Sequence, residues 1–278
     1  MAKKKKSSSN TLEVQNAAKT LFANIRFMSP DNPLRSIALT SSVPNEGKTV
    51  TSIELARAIA TSGKTVMLVE ADMRRRSLAS MLGVRPAAGL YAVLSDQVPL
   101  SKAVSGTSIP NVYLLDTEPN IPNPADIISS KRYQKLVSLL EANYDYVIFD
   151  TPPVGTFVDA AVLSTLVDGT VLVVKPNSTK RSELAHAYEQ LEKANANVIG
   201  ICATFCEGTG SEYYYAYYTT SGERVQMDDD PLPPLPQQQR RERADRSAAG
   251  GQTVRPVAGG AAGATGNARR QGRPGRQG

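Results

Sequence analysis

Gly47, Lys48 and Thr49 stand together in the stretch "SSVPNEGKTV" (41–50), and their side chains suit the binding of a nucleotide. The usual phosphate-binding loop reads G-x-x-x-x-G-K-[ST], but Ser42 here replaces its first glycine. In such a loop the glycine lets the main chain approach a phosphate, the lysine reaches the β- and γ-phosphates, and the hydroxyl binds Mg²⁺. These residues predict a site for a nucleoside triphosphate with Mg²⁺.

Three carboxylates come at or just after the ends of apolar runs: Glu70 and Asp72 in "TVMLVEAD", and Asp150 in "YDYVIFD". Side chains two residues apart on an extended chain project from the same side, and the carboxyl ends of parallel strands line a ligand crevice. We therefore expect all three carboxylates to converge on Mg²⁺ and phosphate. Lys48 joins them as the predicted catalytic set, and Thr49 joins them as a metal ligand. The alternative is that these acids only cap the helices that follow.

The elements that must position these residues are apolar runs typical of buried strands. Several are apolar at consecutive positions, as in strands that are covered on both faces. The runs lie at residues 35–40, 65–70, 112–115, 144–150, 169–174 and 197–205. Helical spacing between the first two runs makes the chain alternate between strand and helix, which implies a parallel sheet. Residues 30–206 thus predict an α/β fold, a doubly wound, mostly parallel sheet with helices on both faces, as in P-loop NTPases.

The 41–50 loop lies between a predicted strand and a helix that opens at about Lys48, which is the order that a phosphate-binding loop requires. Backbone N–H groups and the helix N-terminus then face the phosphate together. Asn45 also fits, because asparagine tolerates positive φ angles better than most residues. The predicted nucleotide contacts are Ser42, Pro44, Asn45, Glu46, Gly47, Lys48, Thr49 and Val50.

Positive charge is concentrated at the two ends of the 278-residue chain, whose formal net charge is +6. Residues 1–10 contain four lysines and residues 231–278 carry a net charge of +7, so the part between them is mildly acidic. This distribution argues against nucleic acid as a partner and is compatible with weak contact between the basic ends and an anionic membrane. No apolar run approaches the ~18 residues of a membrane span.

Beyond residue 206 the apolar pattern ends. The segment "EGTGSEYYYAYYTTSGE" is rich in tyrosine, and the chain then becomes acidic, proline-rich and finally rich in Arg, Gly and Ala. So few large apolar side chains cannot offset the entropy of ordering the chain. We expect a basic disordered N-terminus at 1–10, a P-loop domain with an N-terminal helix at 11–206, a tyrosine cluster at 207–225, and a disordered Pro/Gly/Arg-rich tail at 226–278.

Together these motifs resemble the cytoplasmic kinase domain of the bacterial protein-tyrosine kinases (BY-kinases) of capsule and exopolysaccharide synthesis. That family's loop, roughly S-x-x-P-G-E-G-K-[ST], resembles this one through Ser42, Pro44, Glu46, Gly47, Lys48 and Thr49, which implies that the serine in place of glycine is a family feature. Its D-x-D-x-R motif resembles "EADMR" at 70–74, and its D-[ST]-P-P motif is matched by "DTPP" at 150–153. The resemblance extends over about residues 13–225 and includes a tyrosine cluster after the last strand.

The resemblance implies an ATP- and Mg²⁺-dependent protein-tyrosine kinase that phosphorylates its own tyrosine cluster, entering the site of a neighbouring molecule. The implied phosphoacceptors are Tyr213, Tyr214, Tyr215, Tyr217 and Tyr218. It also implies a separate transmembrane activator, a cognate tyrosine phosphatase, and regulation of capsule or exopolysaccharide synthesis or export. The implied location is the cytoplasm, at the inner face of the cell membrane through that activator.

The chain departs from the family pattern at several positions. The family's N-terminal helix uses E-x-x-R-x-x-R for subunit contacts, and Asn16, Lys19 and Phe22 stand at those places, which leaves homo-oligomerisation open. Glu70 replaces the first aspartate of the D-x-D-x-R motif, and its extra methylene moves the carboxylate by about 1 Å, enough to affect alignment. Whether Glu70 or the second acid is the catalytic base stays open. Thr204 stands where the family usually has an asparagine at the end of the last strand, which weakens the adenine contact that the resemblance implies.

Two other functions stay open at this point. A partition-type switch ATPase shares the fold, but such proteins carry an extra lysine near the loop start, where Val43 stands here, and have no tyrosine tail. A nucleotide-binding scaffold without kinase activity is favoured by Glu70 and by the altered N-terminal helix motif.

Overall fold

The runs of consecutive apolar residues form the central strands of one sheet, and in the middle of that sheet every strand residue is buried. The computed structural model describes residues 2–206, with side chains described from residue 12 onward. The strands are β1 (Ser36–Ser41), β2 (Val66–Glu70), β3 (Val104–Gly106), β4 (Val112–Leu115), β5 (Tyr146–Asp150), β6 (Gly169–Val174) and β7 (Val198–Ala203). Their order in the sheet is β3-β4-β2-β5-β1-β6-β7. Neighbouring strands are parallel except β3 and β4.

Helices cover both faces of this sheet, as the alternation of strand and helix predicts. They are α1 (Ala2–Met28), α2 (Lys48–Thr61), α3 (Leu78–Leu82), α4 (Leu90–Leu94), α5 (Leu100–Ala103), α6 (Pro124–Ile128), α7 (Lys131–Asn143), α8 (Asp159–Ser164) and α9 (Arg181–Lys193). On β1, Ile37 and Leu39 join the core shared with α1 and α2, whereas Ala38 joins the core shared with α4, α6 and α7. The doubly wound α/β fold is confirmed.

The strand order brings the predicted site residues to one edge of the sheet. Strand β5 lies between β1 and β2, with Leu39 and Glu70 both in register with Asp150. The 42–47 loop after β1 and the segment after β2 therefore flank the end of β5. Because all three strands are parallel, this edge is a crevice of the kind that binds ligands in open α/β sheets.

Helix α1 differs from the expectation of a disordered N-terminus at 1–10, because it begins at Ala2. Lysine and alanine favour helix, and residues 2–28 contain no Gly or Pro that would interrupt one. Further along α1, Phe22 occupies the place of a family arginine and is buried, edge-on to Tyr146 with 5.5 Å between ring centroids. The short antiparallel strand β3 was not predicted, since three residues give too little periodicity.

The predicted tyrosine cluster and the predicted disordered tail lie outside the described residues. The boundaries proposed at 207–225 and 226–278 therefore stay predictions. Among the helices of residues 2–206, none has both the length and the apolar character that crossing a membrane requires.

Candidate active site

The loop between β1 and α2 is shaped to receive an anion. Asn45 and Gly47 have φ angles of 66° and 85°, which fold the loop back onto the start of α2. Within the described part of the chain, the N–H groups of Gly47, Lys48 and Thr49 donate no hydrogen bond to protein. Successive unpaired amides at a helix N-terminus attract phosphate oxygens. The main chain here thus fits the phosphates of a nucleotide.

Asp150 at the end of β5 gathers polar side chains from the first turn of α2. Its Oδ1 accepts hydrogen bonds from Lys48 Nζ at 2.7 Å and from Ser52 Oγ at 3.0 Å. Its Oδ2 accepts one from Thr49 Oγ1 at 2.6 Å. Asp150 is fully buried and Lys48 nearly so, so the ion pair is shielded from water. The structure therefore brings Lys48, Thr49 and Asp150 together, as the sequence predicts, and it adds Ser52.

Glu46, predicted as a nucleotide contact, faces the protein instead. Its Oε2 accepts from the N–H groups of Ser42 and Val43 at 2.7 and 3.0 Å. Its Oε1 accepts from the Thr179 hydroxyl and, at 3.4 Å, from the Lys175 N–H. With both oxygens occupied, the buried Glu46 side chain holds the loop against the segment after β6.

Ser42 and Val50 are the first and last of the predicted loop contacts. The Ser42 N–H donates to the Glu46 side chain, and the buried Ser42 hydroxyl has no hydrogen-bond partner in the described residues. A Cβ on Gly155 would lie 2.3 Å from the Ser42 carbonyl oxygen, so the 153–155 turn packs tightly against the loop. Val50 is exposed on the first turn of α2, so its contact with the nucleotide stays a prediction. Nucleotide contact through Ser42 would thus involve its side chain and not its amide.

Glu70 ends β2 beside Asp150 but has different partners. Its Oε2 accepts from the N–H groups of Ser77 and Leu78, at 2.7 and 2.9 Å, which begin helix α3. Its Oε1 accepts from the N–H of Asp72 at 3.2 Å. The Glu70 carboxyl therefore holds the 71–78 segment in shape, and capping of the following helix is the role that the geometry supports.

Asp72 keeps one oxygen available. Its Oδ1 accepts from the N–H groups of Arg74 and Arg75, at 3.3 and 2.9 Å. Its Oδ2 accepts no hydrogen bond from the described residues. Of the two acids in "EAD", Asp72 is thus the one whose carboxylate is less engaged with protein.

Burial raises the pKa of the Glu70 carboxyl from 4.5 to about 8, and the neighbouring Asp150 carboxylate contributes to the rise. Burial also raises the pKa of the Asp72 carboxyl. A carboxyl with a pKa near 8 is mostly protonated at pH 7. Glu70 is therefore a poor source of negative charge at neutral pH.

The predicted convergence of three carboxylates on one metal ion is not what the structure presents. Among residues 2–206, no group of three or more His, Cys, Asp or Glu side chains is arranged to hold a metal. The reason is local, because Glu70 turns to the amides of the 72–78 segment while Asp150 turns to α2. The donors that do fit Mg²⁺ are the Thr49 hydroxyl and the Asp150 carboxylate, both oxygen ligands.

Several polar contacts around the site were missed from the sequence. Ser77 connects the two acids, because its N–H donates to Glu70 and its hydroxyl lies 3.0 Å from Thr49 Oγ1. Since the Thr49 hydroxyl donates its hydrogen bond to Asp150 Oδ2, the Ser77 hydroxyl is the donor in that pair. Arg74 forms a 2.9 Å ion pair with the buried Asp159 and stacks on Phe157. The D-x-D-x-R resemblance was the one signal that could have singled out Arg74.

Several known proteins are similar to this chain in both sequence and fold. The AAA domain family model matches residues 34–198. The tyrosine-protein kinase YwqD of Bacillus subtilis is 33% identical over 208 residues, which cover 75% of this chain and 87% of that protein. The crystal structure of the chimerical protein CapA2B2 is 30% identical with a TM-score of 0.64, over 67% of this chain and 82% of that one. The kinase domain of the Escherichia coli tyrosine kinase ETK is 26% identical with a TM-score of 0.65, over 70% and 78%.

These similarities cover the phosphate loop, both acidic strand ends and the sheet that positions them. The predicted family is confirmed by similarity to proteins that are named tyrosine kinases, and this similarity extends over most of their length. The predicted P-loop NTPase fold is confirmed by the sheet order and by the same structures. The chain therefore belongs to the bacterial protein-tyrosine kinase family, and it is a protein-tyrosine kinase.

Proposed function

We propose that this kinase transfers the γ-phosphoryl group of ATP to Tyr213, Tyr214, Tyr215, Tyr217 and Tyr218 of a neighbouring copy. The observation that carries the proposal is the network of Lys48, Thr49 and Asp150 beside three loop amides that donate no hydrogen bond within residues 2–206. Phosphoryl transfer requires positioning and charge neutralisation more than covalent chemistry by the protein. This network and these amides supply both at one edge of the sheet.

The loop amides of residues 47–49 and the Lys48 ammonium bind the triphosphate in this proposal. Lys48 Nζ lies 2.7 Å from Asp150 Oδ1, so its side chain exchanges the carboxylate for phosphate oxygens when ATP binds. Both partners remain beside the loop amides, and in this proposal the exchange needs only rotation of the Lys48 side chain. Lys48 thereby places its charge where the transferred phosphoryl group develops negative charge.

Thr49 and Asp150 would hold Mg²⁺, directly or through water, since both present oxygen atoms at the same point. When bound there, Mg²⁺ neutralises the charge of the β- and γ-phosphates. Asp150 loses the Lys48 cation in the exchange and gains the metal, so its buried charge stays compensated. Glu70, held by the amides of Ser77 and Leu78, has a supporting role in this arrangement.

Asp72 accepts the proton of the incoming tyrosine hydroxyl in our proposal. Its Oδ2 is not engaged by the described residues, whereas both oxygens of Glu70 are. In kinases an aspartate commonly accepts or orients the hydroxyl proton of the substrate. Arg74 and Arg75 amides on Oδ1 fix the direction of the carboxylate.

The biological role rests on the family resemblance. We propose that phosphorylation of the tyrosine cluster regulates capsule or exopolysaccharide synthesis or export. A separate transmembrane protein activates the kinase and holds it at the inner face of the membrane, and a phosphatase reverses the modification. Contact of the basic ends with anionic lipid would add weakly to this location, at about 1 kcal/mol per basic residue at most.

The proposal is tested by incubating the purified full chain with Mg-ATP and detecting phosphotyrosine. We expect Lys48→Met to lose the signal, because it removes the charge at the β- and γ-phosphates. Lys64→Met is the matched control, since Lys64 pairs with Asp145 at the opposite edge of the sheet. Undiminished signal in Lys48→Met would contradict the proposed site.

Transfer between copies is tested by mixing two inactive partners. One is the Lys48→Met chain, which keeps its tyrosines, and the other changes the five clustered tyrosines to Phe but keeps its catalytic site. We expect phosphotyrosine on the Lys48→Met chain only in the mixture. If the mixture stays unphosphorylated while the wild type is phosphorylated, transfer occurs within one copy.

A further inference from the structure

Phe205 combines two unfavourable features just after the end of β7. Its φ angle is 52°, a left-handed conformation that large side chains rarely adopt. Its side chain is nevertheless 67% exposed, so burial of the ring does not compensate for the strained backbone. Residues held in sparsely populated backbone conformations cluster at active sites and ligand clamps, so this conformation makes Phe205 a candidate for a functional contact.

The Phe205 ring lies directly beside the phosphate loop. A Cβ built on Gly47 would lie 3.1 Å from Phe205 Cε2, which places the ring edge against the Gly47 main chain. The preceding residue fixes this position, because the Thr204 hydroxyl lies 2.6 Å from the Glu46 carbonyl oxygen and 3.1 Å from that of Val174. The ring is therefore tied to the loop that binds phosphate in the proposed function.

A cation orients the same ring. Lys175 Nζ lies 4.7 Å from the Phe205 ring centroid, within the range of a cation–π contact. The Lys175 N–H also donates to Glu46 Oε1 at 3.4 Å. One face of the ring thus lies against an ammonium group and one edge lies against Gly47, yet Phe205 keeps 67% of its surface exposed.

We propose that the Phe205 ring is the platform on which the purine base of the bound nucleotide stacks. The inference rests on the proposed function, which places the phosphates on the amides of residues 47–49. Gly47 would then serve both parts of the ligand, with its N–H toward phosphate and its Cα against the ring. Base stacking requires only an open aromatic face, which Phe205 supplies beside the loop.

The test compares a ligand that has a base with one that does not. Affinities of the full chain for Mg-ATP and for Mg-tripolyphosphate are measured by calorimetry in the wild type, Phe205→Leu and Phe205→Tyr. Leucine keeps an apolar side chain against Gly47 but removes the aromatic face, whereas tyrosine keeps it. Ile201→Ala is the control, since Ile201 is an exposed apolar residue on β7 outside the phosphate loop.

We expect Phe205→Leu to weaken ATP binding about tenfold, which corresponds to about 1.4 kcal/mol. Tripolyphosphate affinity should stay within about twofold, and Phe205→Tyr and Ile201→Ala should keep wild-type affinity for both ligands. Unchanged ATP affinity in Phe205→Leu would overturn the inference, and so would an equal loss for both ligands, which would mean that the ring only shapes the loop. A wild-type chain that binds neither ligand would overturn the proposed function as well.

Discussion

Asp150 and Glu70 occupy equivalent places on adjacent parallel strands, yet the protein uses them differently. They are in register, both are fully buried, and each ends its strand at the same edge of the sheet. Asp150 contacts side chains of α2, among them the Lys48 ammonium. Glu70 contacts main-chain amides of the segment that leads into α3.

The kind of partner decides what a buried carboxylate can do. Side chains can rotate away when a ligand arrives, so Asp150 can change from Lys48 to a metal ion without unfolding its surroundings. Main-chain amides cannot leave without moving the segment that carries them, so Glu70 is committed to shaping residues 71–78. The comparison assigns chemistry to the Asp150 side of the crevice and support to the Glu70 side.

Removing the Asp150 charge should have the largest effect. We expect Asp150→Asn to lower the rate of phosphotyrosine formation by about 10²–10³-fold, because charge stabilisation at the reacting phosphate is a major part of catalysis. Asp145→Asn is the matched control at the other end of β5, where Asp145 accepts from Thr65 and Lys64. The measurement is the initial rate of phosphotyrosine formation by the full chain. Equal rates for Asp150→Asn and Asp145→Asn would remove Asp150 from the catalytic set.

Truncating Glu70 should affect stability more than chemistry. Glu70→Ala leaves the part-buried amide of Ser77 and the buried amide of Leu78 without an acceptor, and we expect a loss of about 3 kcal/mol in the free energy of unfolding. Glu70→Gln keeps one acceptor oxygen of the same reach and should retain activity within about tenfold. Glu70→Asp should lose more stability than Gln, because its carboxylate is about 1 Å short of those amides. Urea unfolding and initial rates are measured on the same variants. If Glu70→Gln lost as much activity as Asp150→Asn, Glu70 would have a part in the chemistry and not only in support.

The raised pKa of Glu70 makes the stability of the fold depend on pH. Its pKa is about 8 in the folded chain and 4.5 in the unfolded chain, so the contribution of Glu70 to stability is fully present below pH 4.5. That contribution falls as pH rises toward 8, by about 2 kcal/mol between pH 6 and 8. Because glutamine does not ionise, the free energy of unfolding of Glu70→Gln should lack this decrease of about 2 kcal/mol between pH 6 and 8, as measured by urea unfolding. Parallel curves for wild type and Glu70→Gln would mean that Glu70 ionises normally.

Substitution of Ser52 should have the smallest effect on the Asp150 network. Its hydroxyl donates to Asp150 Oδ1 at 3.0 Å but is not proposed to contact ATP or metal. We expect Ser52→Ala to cost about 1 kcal/mol of stability and to change the rate of phosphotyrosine formation only a few-fold. A rate loss as large as that of Asp150→Asn would show that the hydroxyl has a direct part in the chemistry.

The parts of the site that follow from chain order were predictable, and those that depend on the direction of side chains were not. Consecutive apolar residues indicated the buried strands, and the Gly47-Lys48-Thr49 triplet between strand and helix indicated the phosphate loop. The orientation of Glu70 depends on where the amides of Ser77 and Leu78 point, which is a property of the folded 71–78 segment. The residue types of that segment do not indicate the direction of these amides.

Glu46 and Phe22 illustrate the same limit. Glu46 was expected to contact the nucleotide because it lies in the loop, but the loop needs an internal acceptor for the amides that its tight fold exposes. Phe22 was interpreted from the sequence as the loss of an arginine of the family motif, whereas its ring is buried in the core against Tyr146. In both cases packing between distant segments decided the role.

The most direct test of the central claim is a crystal structure of the full chain with Mg²⁺ and a non-hydrolysable ATP analogue. We expect Lys48 Nζ to have left Asp150 for the phosphates, with Thr49 and Asp150 at the metal and Glu70 still accepting from the amides of Ser77 and Leu78. A structure in which Glu70 coordinates the metal, or in which Lys48 stays paired with Asp150 away from phosphate, would contradict the account.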